Sequence, residues 1–261
     1  MARLNEIIDD VDMPDIPPTR RPIVPPVNAA PEPTPIVHFD RGTVRAQVHA
    51  QLRRLVMLGR FRPGQALKLN DLANALGTSL QPVREAVRQL VAEKALEALP
   101  NRSARVPRAD HAKLDDLQRV RFAIEGLAAE LAAARVTRAD IATLDAIVEA
   151  EVRELTTSGI EASVAQNLEF HFALYRMSGS AILPPIIESL WLQFGPHMRQ
   201  AADAFYAADD RATDHHRAII VALKERDVMA VRAAVERDIG RSFDIVRTLL
   251  DKPGTAKPRR A

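Results

Sequence analysis

The chain has 261 residues, 47% of them hydrophobic and only 4% aromatic, with 36 Lys/Arg against 34 Asp/Glu. That length exceeds one typical domain and supplies ample apolar material for cores built mainly by packing helix on helix. The absence of cysteine excludes disulfides and thiolate metal sites; no run reaches the roughly 20 apolar residues of a membrane span, and the acidic, proline-bearing start is not that of a secretory signal, so a soluble protein of the cytoplasm, with no membrane partner, is expected.

Residues 1–40 hold nine of the 18 prolines and show no sustained periodicity, which predicts a disordered extension with some polyproline character. Residues 41–108 then read as a small DNA-binding unit. Leu69, Leu72, Ala73 and Leu76 give a short helix one apolar stripe. Gly77 is placed to end it in the left-handed conformation, and Thr78 or Ser79 to cap the next helix. Pro82 falls in that helix's first turn, where its missing N–H costs nothing. Val83, Ala86, Val87, Leu90 and Val91 follow at helical spacing, leaving Gln81, Arg84, Glu85 and Arg88 on the opposite face. Such a face suits the major groove of double-stranded DNA. Leu96–Leu99 and Ala104–Val106 read as two short strands joined by Pro100, Asn101, Arg102 and Ser103, with Arg102 placed to reach a phosphate or the minor groove.

Charge segregates as a nucleic-acid footprint requires. Residues 41–110 carry 13 Lys/Arg against 5 Asp/Glu, a net of +8, whereas 111–250 carry 16 against 21, a net of −5.

The segments RPGQAL, LANALGTSLQPVREAV and NRSARV resemble the GntR family of bacterial transcription regulators. The helical continuation resembles the branch with an FCD effector domain. The resemblance spans residues 41 to 250. It implies a mainly α protein: an N-terminal winged helix-turn-helix followed by an all-α antiparallel bundle over 111–250. The last eleven residues, 251–261, read by composition as a basic tail. It also implies a homodimer on a near-palindromic operator, with Asn70, Ser79, Leu80, Gln81, Arg84, Arg88 and Arg102 as the DNA-reading positions. Arg84 matches the family's DNA-contacting arginine. Leu80 stands where an arginine is usual, Asn70 where a charge is frequent, and Ser103 where the wing usually has glycine.

From residue 111 onward the pattern is helical throughout. Leu117, Arg121, Ile124, Ala128 and Leu131 share a stripe, which puts a guanidinium on an apolar face, where it needs an acidic partner. Glu125, one turn along, is one such partner; a ligand carboxylate gripped bidentately is the other. Further on, Asn167 and His171 share a helix face that continues into Leu174 and Ser178. His216 shares one with Ile220 and Leu223. Asp238 interrupts the row Val228, Val231, Val235, Asp238, Ser242, Ile245 and Leu249. Polar interruptions on separate helices cost free energy unless they meet one another or a cation. The resemblance implies that Asn167, His171, His216 and Asp238 hold a divalent metal ion, two of the four differing from the family's usual Asp and His. Two nitrogen and two oxygen donors suit zinc, nickel, manganese or iron alike. His215 is the alternative ligand one register away, and His197, after Pro196, reads as an end-of-helix residue.

The function these features imply is a DNA-binding transcription regulator, a repressor whose DNA affinity is set by a small carboxylate metabolite bound at the metal, with Arg121 and Arg199 as effector-binding residues. Two alternatives stand beside it. One is a metal-free regulator of the same family. The other is a metal-dependent enzyme on His171, His216 and Asp238, since two histidines and a carboxylate also serve non-haem iron oxygenases and metallohydrolases, although no further catalytic motif accompanies them.

Overall fold

The computed structural model describes residues 41–100, 103–208 and 213–251. The 1–40 extension, Asn101 and Arg102 of the expected wing tip, and the tail from residue 252 lie outside the described residues.

The N-terminal unit begins with helix α1 (Arg41–Met57), then β1 (Ala66–Leu67), α2 (Leu69–Ala75), α3 (Leu80–Ala92), β2 (Glu97–Leu99) and β3 (Ser103–Arg105). Gly77 takes φ +59° in the turn between α2 and α3, a conformation that glycine enters without the penalty a Cβ brings. Val83, Ala86, Val87 and Leu90 are the buried face of α3, packed with Val48 and Leu52 of α1. The sheet has the order β1-β3-β2, with both pairings antiparallel and Ala98 opposite Ala104. Both wing strands start one residue from where the sequence places them at one end or the other, and β1 is not anticipated at all. A two-residue strand is too short to show alternation, so only its pairing partner reveals it.

The C-terminal unit is six helices: α4 (His111–Arg135), α5 (Arg138–Thr157), α6 (Ile160–Met177), α7 (Leu183–Ala208), α8 (Asp214–Glu225) and α9 (Val228–Asp251). Caps set their starts. Asp110 accepts from Lys113 N at the head of α4, and Thr137 and Asp140 form a reciprocal capping box on α5. The helices close around Leu114, Leu144, Phe170, Leu174, Trp191, Phe194, Val235 and Phe243, all essentially inaccessible.

Two expected stripes drift off the core. Leu131 is 39% exposed, because α4 buries Glu125, Ala129, Ala132 and Ala133 instead. On α9 the buried row runs Val231, Val235, Asp238, Ile239, Phe243 and Val246, leaving Ser242, Ile245 and Leu249 only half-buried. A 3.6-residue period shifts steadily against a 3–4 spacing, so a long helix cannot keep one sequence row inward for six turns. Pro196 lies inside α7 rather than beyond its end, so His197 is a buried mid-helix residue, not a terminal one.

The two units meet through α1 and α7. A Cβ on Gly195 would stand 2.4 Å from the Val56 carbonyl oxygen and 2.6 Å from Met57 Cα, so glycine permits backbone-to-backbone docking there. Arg60 pairs with Glu161 at 2.6 Å, and Arg53 with Glu188 at 3.0 Å.

Candidate DNA-reading face and metal centre

The exposed edge of α3 is built as its spacing requires. Ser79 is the extended N-cap residue and is exposed, and its side chain makes no bond to the helix N–H groups. Gln81 and Arg88 are exposed and Arg84 half-buried. Gln81 donates to Glu85 at 2.9 Å and Glu85 also receives Arg45 at 3.4 Å, so the only carboxylate on this face is tied to its neighbours. Arg84 touches Gln81 at 3.5 Å, and its Nε is buried with no hydrogen-bond partner. A guanidinium held this loosely is available to a base edge or phosphate. Asn70 is exposed on α2. Leu80 differs from its expected role: it is half-buried and packs against the core, so at this position the helix contributes packing rather than a polar reading group. In the wing, Arg105 donates to Glu97 directly across the strands, at 2.7 Å and 3.1 Å.

In the helical unit, three of the four expected ligands meet. One donor atom from each of His171, His216 and Asp238 lies within 4.8 Å of the others, and all three residues are buried. His171 Nε2 is 2.9 Å and His216 Nε2 4.0 Å from the same Asp238 oxygen. Asn167 stands one turn before His171 on α6, half-buried. His215, half-buried on α8, is not among the converging ligands and instead lines a neighbouring groove with Arg237 and Arg241.

The other ring nitrogens are anchored outward. His216 Nδ1 lies 2.8 Å from Glu151, whose second oxygen accepts from Ser163 at 3.3 Å. Phe170 stacks on the His216 ring with centroids 4.1 Å apart. His171 Nδ1 lies 3.1 Å from the Tyr175 hydroxyl, which donates to Glu125 at 2.5 Å. Burial, reinforced by Glu125, holds the Tyr175 phenol well above its usual pKa, so it keeps the proton it donates. The tyrosine oxygen then accepts from His171 Nδ1–H. Glu151 likewise accepts from His216 Nδ1–H. With each Nδ1 engaged outward, both rings turn Nε2 toward Asp238. Burial alone would raise the Asp238 carboxyl, but the hydrogen bond and charge of His171, with the charge of His216, hold it far below the ordinary range. Burial pulls His216 down, yet Glu151 and Asp238 outweigh it and leave its pKa raised. Two ring nitrogens and a carboxylate oxygen thus converge on one point, an arrangement that a shared proton or a cation stabilises.

The sequence reading missed both anchors, Tyr175 and Glu151. The signal for Glu151 was present: Leu144, Val148 and Glu151 form an inward row on α5 interrupted by a carboxylate, the same pattern that marked Asp238.

Of the two partners open to Arg121, the structure supplies Glu125. Arg121 Nε and Nη2 both donate to its carboxylate, the second at 3.1 Å, and the guanidinium lies 4.6 Å over the Trp191 ring. Trp191 Nε1 donates to the same carboxylate at 3.0 Å. Arg199 is no closer to an effector role. Glu161 and Asp203 each hold it at 2.8 Å where the two units join, and burial, which would lower its pKa, is outweighed by these carboxylates.

A helix-turn-helix with a basic reading face, joined to a helical domain with a buried polar centre, defines a DNA-binding transcription regulator rather than an enzyme. Comparison with known proteins agrees at every level: residues 44–106 match the bacterial regulatory proteins of the gntR family and residues 116–241 match the FCD domain. HTH-type transcriptional regulator McbR of Escherichia coli is 32% identical over 182 residues, covering 69% of this chain and 82% of that protein. The structure of E. coli McbR/YncC superposes with a TM-score of 0.75 at 28% identity, covering 80% of this chain and 99% of that one. The "Probable D-xylose utilization operon transcriptional repressor" of Paenarthrobacter nicotinovorans is 28% identical over 195 residues, 72% of this chain and 82% of that protein. The chain belongs to the GntR family of transcription regulators, in the branch with an FCD domain. Among the described residues no helix is long and apolar enough to cross a membrane.

Proposed function

We propose that the protein is a homodimeric repressor that holds a divalent metal on His171, His216 and Asp238 and leaves its operator when a small organic acid binds the helical domain. The observation that carries the metal reading is the pair of outward anchors. Glu151 on one histidine and Tyr175 on the other fix both Nδ1 atoms as donors, which is how metal-binding histidines are held in register. Asn167 offers a further carbonyl oxygen from the adjacent turn of α6. Bound there, the metal supplies a positive charge that an organic acid can complete; the chain's own residues orient the rings and exclude water.

Dimerisation is supported by an unpartnered apolar face on α4, where Val120, Leu127 and Leu131 are each about two-fifths exposed. One recognition helix sees few base pairs, and a two-fold pair reads both halves of a near-palindrome. Control of DNA binding is supported by the α1–α7 junction, because α1 packs against the recognition helix on one side and against Gly195 on the other. An acid that favours one setting of α7 shifts the reading heads, and by linkage DNA changes the affinity for that acid by the same factor.

A metal-free regulator is favoured by a different observation: the 2.9 Å contact of His171 with Asp238 closes as a plain ion pair if Nε2 carries a proton. Elemental mass spectrometry of untagged protein decides between them. Near-stoichiometric zinc, nickel, manganese or iron that disappears from a His171→Ala, His216→Ala variant supports the metal centre. No metal after incubation with each ion overturns it. DNA reading is tested separately: Arg84→Ala is expected to abolish specific operator protection, and a wild-type footprint in that variant would refute the placement of the recognition helix.

A further inference from the structure

Outside the triad, Ala204 of α7, His215 of α8, and Arg237, Arg241, Asp244, Ile245, Thr248 and Leu249 of α9 line an open groove of about 520 Å³. That is room for a small organic molecule. Its charge is one-sided. Among the described lining residues Asp244 is the sole acid, and it already receives Arg247 at 2.8 Å. Arg237 is exposed, spends only its Nε on the Ala233 carbonyl, and makes no ion pair among the described residues. The groove's floor is apolar: Ile245 and Leu249 continue the sequence row through Asp238 but turn out of the core and into this space. The groove adjoins the triad, for two of its lining residues, His215 and Arg241, stand next to His216 on α8 and three residues beyond Asp238 on α9.

We infer that this groove is an anion-binding site for an organic acid with a single acidic head and an apolar body, the head on Arg237 beside Arg241 and the body on Ile245 and Leu249. A guanidinium with both terminal nitrogens available offers a carboxylate the bidentate contact it prefers, and the His215 ring lines the same groove. Arg121 and Arg199, by contrast, already have carboxylates of this chain. The regulatory meaning of the site rests on the effector-controlled reading above, while the binding itself does not.

The test is calorimetric titration of the full chain with three probes: hexanoate, which has head and tail; inorganic phosphate, a head alone; and hexanol, a tail alone. Hexanoate is expected to bind saturably and more tightly than either partial probe. Arg237→Gln should weaken it about tenfold to a hundredfold, the effect of losing a charge-assisted hydrogen bond. Arg237→Lys should restore part of the loss. Leu249→Ser should weaken hexanoate and leave phosphate unchanged. Protein treated with a chelator should bind hexanoate as untreated protein does. Hexanoate binding that survives Arg237→Gln and vanishes on chelator treatment would place the acid on the metal and overturn the inference while leaving the proposed function intact. Absence of saturable hexanoate binding up to about 10 mM would overturn it too. Metal content measured on the same preparations separates the outcomes: hexanoate binding that needs Arg237 in a protein that takes up no metal upholds the groove and removes the metal.

Discussion

Replacing Glu125 with Gln should destabilise the helical domain more than any surface change. Its carboxylate is fully buried and takes four donors: Nε and Nη2 of Arg121, the Tyr175 hydroxyl at 2.5 Å and the Trp191 indole at 3.0 Å. A glutamine amide offers one acceptor oxygen, so its nitrogen must face either the Arg121 Nε or the donors gathered on the other oxygen. At least one donor, and in one orientation three, loses its acceptor at about 1–3 kcal/mol each, while the Arg121 charge is left uncompensated. Breaking a buried pair from one side costs about 3–5 kcal/mol, and the estimate from lost donors falls in the same range. Urea unfolding followed by tryptophan emission is the assay. Trp191 is the only tryptophan in the chain, so the signal reports this domain even if the DNA-binding unit unfolds separately. Arg121→Met should cost a similar amount, and the double variant Arg121→Met, Glu125→Leu far less than the two single losses together. Single variants within about 1 kcal/mol of wild type, or strictly additive losses, would refute the picture of an obligatory buried pair.

Four further outcomes are expected. Glu151→Gln should lower metal affinity about tenfold to a hundredfold by releasing His216, as measured by competition with a chelating dye; unchanged affinity would remove Glu151 from the centre. Gly195→Ala should undock α1 from α7 at a cost of about 1–3 kcal/mol, splitting one calorimetric transition into two, because both obstructing atoms are backbone; an unaltered trace would refute the junction. Gly77→Ala should cost about 1–2 kcal/mol in stability of the DNA-binding unit through φ alone, since a Cβ there meets no atom within 4 Å. His197 is pushed down to about 4 by burial, with Lys113 nearby. Below pH 6.5 the unfolded chain takes up a proton that the folded one refuses, so stability is complete above that pH and falls as the pH drops toward 4, by about 3 kcal/mol at most. His197→Gln should flatten that fall in melting temperature between pH 7 and 4.5.

The winged helix-turn-helix was legible because its signals are local. A glycine at the turn, a proline in the first turn of α3 and four apolar residues at helical spacing each constrain the backbone within a few positions. The triad was legible for a related reason. A polar residue on an otherwise apolar row must find a partner, and three such rows pointed to one meeting place without revealing its geometry. Glu151 escaped although its row carries the same mark, and it was found only through the ring nitrogen it anchors. Leu80 and Arg199 show the opposite limit. Whether a side chain at a helix start packs inward, or an arginine meets a carboxylate 38 residues away, depends on how helices are placed in space.

Arg121 shows how the two kinds of information combine. Helical spacing established that its guanidinium is buried and in need of a carboxylate, and left two candidates. The structure gives the nearer one, and adds that Tyr175 and Trp191 share it. Glu125 thereby links α4 to α6 through the residue that orients His171, and to α7 one turn before the glycine on which α1 docks. The pair is thus closed within this chain, and its carboxylate bridges the polar centre and the helix on which α1 docks. If that carboxylate transmits control, Trp191→Phe, which keeps an aromatic ring and removes one donor to Glu125, should leave metal content and operator binding in place and reduce the change in operator affinity on adding the organic acid. An unchanged response in that variant would assign the coupling to another contact.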